Sequence, residues 1–130
     1  MAEASRKALR WVGPSKKELL ALPEDVQRVM GYALFLAEIG GKHPDAKPLR
    51  GHQGAGVLEV VEDYDSDTYR TVYTVKFAKA VYVLHAFQKK SPKGIKTAKH
   101  TIDLIEERLS AAERLYDEEF GSTRKKGKRG

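Results

Sequence analysis

The feature that most constrains this chain is a change of period near residue 57. Three segments rich in Val, Tyr and Thr follow one another from there: VLEVVEDY (57–64), TYRTVYTVKF (68–77) and AVYVLHAF (80–87). Such segments read as strands. The links between them, "DSD" and "AK", are short enough to be hairpin turns, so an antiparallel meander is expected. In the middle segment Tyr69, Thr71, Tyr73, Val75 and Phe77 fall on one face, and Arg70, Val72, Thr74 and Lys76 on the other. The third is apolar at nearly every position, which suits a central strand.

The flanks repeat at helical spacing instead. RKALRWVG (6–13) is a short strand candidate. Ser15 and Glu18 then have the spacing of a capping box, and Leu22-Pro23 separates a first helix from a second. Val26, Val29, Met30, Ala33, Leu36 and Ala37 give that second helix one apolar stripe, which Gly40-Gly41 ends. Residues 41–56 read as a loop rich in Gly, Pro and His. A last helix is expected over 95–117, with Ile95, Ala98, Ile102, Ile105, Leu109, Ala112 and Tyr116 inward. The order is β-α-α-β-β-β-α, an α+β domain over residues 1–120 with its helices on one face of a small sheet. Residues 121–130 form a basic tail expected to be disordered.

Composition narrows the chemistry. The chain has no cysteine, which excludes disulfides, thiolate metal sites and a cysteine nucleophile. No run approaches a membrane span and the N-terminal residues hold no apolar leader, so the expectation is a soluble cytoplasmic protein. The net charge of +6 is concentrated: the last ten residues hold Arg124, Lys125, Lys126, Lys128 and Arg129 and no acid. Residues 68–102 hold Arg70, Lys76, Lys79, Lys89, Lys90, Lys93, Lys96 and Lys99, again with no acid, between two acidic stretches. A basic block of this kind suits a polyanion such as nucleic acid; a solvated lysine surface would look the same.

Other chemistries lack their residues. His43, His52, His85 and His100 are scattered without ligand spacing, and Asp63, Asp65 and Asp67 lack the glycine and closing Glu of a calcium loop, so no metal is expected. No serine sits in a nucleophile elbow, and GHQGAG lacks the Lys and hydroxyl of a phosphate loop. The cationic set remains. A sheet surface carrying Arg70, Lys89 and Lys90, with Tyr73, His85 and Phe87 nearby, could hold an RNA backbone and stack its bases. It could also cleave, because RNA supplies its own 2′-OH nucleophile. The protein would then need a proton acceptor, a proton donor and positive charge at the phosphate. The alternatives are structural: Arg70 paired with an acid of the preceding strand, His85 a core histidine, the lysines solvated strand ends.

The stretch YRTVYTVKFAKAVYVLHAFQKKSPK resembles the signature of the RelE/ParE toxin superfamily, in particular its HigB-like, phage-associated branch. Tyr69, Arg70 and Tyr73 match one strand of that signature, and Leu84, Phe87, Lys89, Lys90, Ser91 and Pro92 the next. LPEDVQ, KPLRG and the element order are also similar. The resemblance implies a RelE-like fold and the toxin of a toxin–antitoxin pair. Such a toxin is a metal-independent, ribosome-dependent mRNA endonuclease, needs no cofactor, and is silenced by a helix-turn-helix (HigA-like) antitoxin. It implies Arg70 as the arginine at the scissile phosphate, and Lys89 and Lys90 as the basic strand end beside it. Lys76, Lys93, Lys96 and Lys99 would extend the RNA-binding surface. Many relatives carry Glu-Leu-Arg on strand two, where this chain has LEVVE with Val60 or Val61 in the arginine's place. That departure favours the alternatives: a ParE-like inhibitor of DNA gyrase acting through residues 15–39, or an RNA- or antitoxin-binding module without cleavage.

Overall fold

The computed structural model describes residues 6–52, 56–89 and 98–121. Its elements are β1 (Ala8–Trp11), α1 (Ser15–Leu20), α2 (Glu24–Glu38), β2 (Ala46–Pro48), β3 (Val57–Tyr64), β4 (Asp67–Thr74), β5 (Ala80–Lys89) and α3 (Lys99–Phe120). The strands form a single sheet ordered β1-β5-β4-β3-β2. β5 pairs with β1 in parallel, and all other neighbours are antiparallel. The expected meander is therefore present. Its first hairpin turns on Asp65 and Ser66, both at positive φ, as a two-residue loop between right-twisted strands requires.

Two expectations about the sheet are corrected. Residues 46–48, read as loop, form β2, an edge strand against β3. Three residues ending in a proline give almost no alternation to read, and an edge is where a sheet tolerates proline. The helices also lie on both faces rather than one. Val81, Val83, Tyr69 and Tyr73 pack with Leu19, Val26, Met30 and Ala33 of α1 and α2. Tyr82, Leu84 and Val72 pack with Ile105 and Ala112 of α3. The near-continuous apolarity of 80–87 follows from this, since a strand covered on both faces has no solvent side.

A third correction concerns β5 itself. Val72 pairs with His85 but Tyr73 pairs with Val83, so Leu84 is an extra residue, a β-bulge. Before it the even-numbered Tyr82 faces α3; after it the odd-numbered Phe87 does. Phe77, expected with Tyr69 and Tyr73, lies past the end of β4 and packs on the α3 side against Tyr82 and Tyr116. Among the described residues no helix is long and apolar enough to cross a membrane.

Gly56 marks the entry to β3. Its φ is +71°, and a Cβ built there would lie 2.5 Å from the Lys76 Cβ and 2.9 Å from its Cα. Val75 donates its backbone N–H to the Gly56 carbonyl at 2.7 Å, which holds the two segments at that separation. Gly56→Ala is expected to cost about 2–4 kcal/mol, combining left-handed strain with a backbone clash. The midpoint of urea unfolding reads this directly; an unchanged midpoint would show that the loop yields freely.

Candidate nucleic-acid interface

The bulge decides which side chains meet. It brings His85, Phe87 and Lys89 onto the α3 side of the sheet, the face that carries Arg70 and Val72. Arg70 pairs across the ladder with Phe87 on one side and Val61 on the other. The His85 and Phe87 rings stack with centroids 4.6 Å apart and planes 21° apart. Beyond them His85, Phe87, Gln88, Lys89, Ala98, His100 and Thr101 line an open depression of about 250 Å³ between the end of β5 and the start of α3. No acid lies in the first turn of α3, so the positive end of its dipole is not neutralised there.

Arg70 is set deep, 6% exposed, and its guanidinium bonds the carboxylate of Glu59 on β3, itself 4% exposed. The strand-two acid that sequence reading offered as an alternative partner is thus present, at the position preceding Val60. Lys89 is 9% exposed. Burial, and then the charge of Arg70, lower its pKa from the ordinary lysine value, against a smaller opposing pull from Glu59. A buried, nearly neutral Arg–Glu pair with a second cation beside it leaves net positive charge at the strand end.

A second cluster ties the depression to the rest of the fold. One carboxylate oxygen of Glu18 lies 2.8 Å from His85 Nδ1 and accepts from Arg108 at 3.0 Å and from the Ala86 N–H at 3.3 Å. Arg108 also donates to the Leu84 carbonyl at 2.8 Å. Burial pushes the Glu18 carboxyl up, but the bonds from Arg108 and His85 outweigh it and hold its pKa below 4.5. The capping box expected of Ser15 and Glu18 does not form: α1 has no side-chain cap, and Ser15 is its first residue, fully buried. An acid in the first turn of a helix is the same signal for both roles. Three-dimensional proximity to Arg108 and His85 decided between them.

The other expected residues separate. Tyr73 cannot stack a base, because it is fully enclosed among the α1 and α2 side chains on the opposite face, and burial raises its hydroxyl to about 12. Lys76 reaches Glu113 of α3 at 2.8 Å and the Phe77 ring. Lys99 is exposed and pairs with Asp103 one turn on. Lys90, Lys93, Lys96 and the basic tail from residue 122 lie outside the described residues. Glu18, Arg108, His100 and Thr101 were not anticipated at this site, and Glu59 only as an unspecified acid of the preceding strand. Among the described residues no group of three or more His, Asp or Glu is placed to hold a metal ion.

Comparison with known proteins gives a consistent picture. Residues 17–110 match the family described as "Phage derived protein Gp49-like (DUF891)". No curated protein matches the sequence. Among solved structures, a mutant Escherichia coli toxin RelE in the free state superposes with a TM-score of 0.52 at 19% identity, covering 82% of this chain and 97% of that one. The fold is therefore RelE-like. The toxin–antitoxin complex RelBE2 from Mycobacterium tuberculosis gives 0.41 at 18% identity, over 70% of this chain and 100% of that one.

Two stability measurements follow from the charges. Arg70→Ala strands a buried carboxylate and is expected to cost about 3–5 kcal/mol, whereas Arg70→Met with Glu59→Leu should recover most of it. Equal losses in the single and double variants would mean the pair is not the source of the cost. For Glu18 the folded pKa lies below the unfolded one, so its contribution is full above pH 4.5 and fades as pH falls through the folded value. Glu18→Gln should cost about 1.5–3 kcal/mol at neutral pH, and the gap to wild type should close in acid. A gap independent of pH would show that the carboxylate charge is not what is lost.

Proposed function

The chain belongs to the phage-derived Gp49-like family, and from that membership and its RelE-like fold we propose that it is the toxin of a type II toxin–antitoxin pair. In this reading it is an endoribonuclease that cuts mRNA on the ribosome by metal-independent attack of the 2′-OH. The observation that carries it is the strand end: Lys89, lowered below an ordinary lysine by burial and by Arg70, beside a depression floored by stacked His85 and Phe87. A phosphodiester arriving there meets positive charge, an aromatic surface for a flanking base, and an amine poised for proton transfer. Arg70 acts from beneath, its guanidinium fixed by Glu59, and stabilises the extra negative charge of the pentacovalent phosphate. Lys99 adds sequence-independent attraction at the rim. The partners in this reading are mRNA, the ribosome and a cognate antitoxin of the HigA-like, helix-turn-helix kind, and the setting is the cytoplasm.

One observation favours a second reading. Tyr32 and Phe35 of α2, and Ile39 just past its end, recur at three- and four-residue spacing and remain exposed, Tyr32 to 54%. An exposed apolar stripe on the helical hairpin is what a protein-binding inhibitor, ParE-like and directed at gyrase, would present.

A reconstituted translation reaction separates the two. Purified protein should produce mRNA ends by primer extension only when ribosomes are present, and Lys89→Met, shown to be folded, should cut about 100-fold more slowly. Intact mRNA with folded wild-type protein, together with inhibited DNA supercoiling by gyrase, would replace the nuclease with the inhibitor.

A further inference from the structure

His85 is held on two sides. Its ring face lies on Phe87, and its Nδ1 lies against the Glu18 carboxylate. An ionised carboxylate has no proton to donate, so in this pair the hydrogen belongs to His85 Nδ1. Arg108 bonds the same Glu18 oxygen at 3.0 Å and sits 3.4 Å from Nδ1; as a donor it competes for that nitrogen, but at the longer distance, and the 2.8 Å contact to the carboxylate oxygen decides the tautomer. In the neutral imidazole the lone pair then falls on Nε2. Nε2 makes no hydrogen bond to a described residue, and His85 lines the depression with Lys89, His100 and Thr101.

From this geometry we infer that His85 is the proton acceptor of the cleavage site, with Glu18 positioning it and Arg108 fixing Glu18. The inference rests on the ribonuclease reading and assigns its proton transfers. As the 2′-oxygen bonds to phosphorus, its proton passes to His85 Nε2. The bond from phosphorus to the 5′-oxygen breaks, and that oxygen takes a proton from the Lys89 ammonium. The products are a 2′,3′-cyclic phosphate and a 5′-hydroxyl, with no further reactant. His85 and Lys89 lie two alternations apart on one face of β5, about 13 Å between Cα atoms. Arg70, opposite Phe87, lies between them, where negative charge builds.

The charged and titratable groups around His85 are Glu18 from α1, Arg108 and His100 from α3, Lys89 on its own strand, and the Arg70–Glu59 pair from β4 and β3. Single-turnover cleavage of ribosome-bound mRNA should be measured across pH for wild type, His85→Gln and Glu18→Gln. Nitrogen-15 shifts of the wild-type imidazole should be recorded alongside. Wild-type cleavage should rise with pH, because a proton acceptor works only in its neutral form. His85→Gln should be slower by about 10²-fold or more and lose that limb. Glu18→Gln should keep cleaving but more slowly, and its neutral ring should divide between the two tautomers, because the carboxylate that holds the proton on Nδ1 is gone. The neutral ring should carry its proton on Nδ1, a reading on wild-type protein that stands even if a variant fails to fold. A wild-type rate and pH profile in folded His85→Gln, or the proton on Nε2, overturns the inference and leaves the nuclease reading intact. Uncut mRNA with wild-type protein overturns both.

Discussion

A strand that outlasts its neighbour must find other partners for its backbone, and β5 does so with charged side chains. β1 accompanies it only from Ala80 to Val83. Past that point the Leu84 carbonyl takes a hydrogen bond from Arg108 and the Ala86 N–H gives one to Glu18. Both groups are at the half-buried join of α1, α3 and the sheet, where an unpaired amide would be costly. Because Glu18 also binds Arg108 and His85, one carboxylate finishes the sheet edge, joins helices from its two faces and sets a ring on the surface of the depression. The site and the end of the fold are thus one construction.

The bulge at Leu84 divides the labour along β5. Its first half is core on both faces, with Val81 and Val83 toward α1 and α2 and Tyr82 toward α3. Its second half carries His85, Phe87 and Lys89 on the face of Arg70. With uninterrupted alternation those three side chains would share the face of Val81 and Val83 and point into the apolar core. Burial of Arg70 is in turn made tolerable by Glu59 beneath the same face. Lys89, next to a pair whose charges nearly cancel, is left to define the sign of the surface.

Most of the architecture was legible because it is written in period. The Val- and Tyr-rich segments became β3, β4 and β5, and the stripe of Ile105 and Ala112 became the buried side of α3. What was not legible depends on contacts between distant residues. β2 is too short to alternate, and Glu18 satisfied a local capping rule while its true partners were 67 and 90 positions away. Tyr73 and Phe87 read alike as aromatics near a basic strand end, yet the bulge and the second helical layer put one in the core and the other on the surface. Arg70 was visible as a strand arginine; that it would be covered and paired required knowing where Glu59 falls in the register.

The separation of 90 positions from Glu18 to Arg108 also sets an order of events in the making of the protein. Chains fold as they are synthesised, from the N-terminal end, and contacts of long sequence separation come last. α1 is complete early, but β5, the strand its neighbour β1 must join, is made some seventy residues later, and α3 later still. Until then Glu18 lacks its full set of side-chain partners and the edge of β5 is unfinished. A chain still emerging from its ribosome can hold helices and a hairpin, but it does not hold the completed cluster at the end of β5. That cluster is completed only with the last helix, after β5 has joined β1 and completed the sheet.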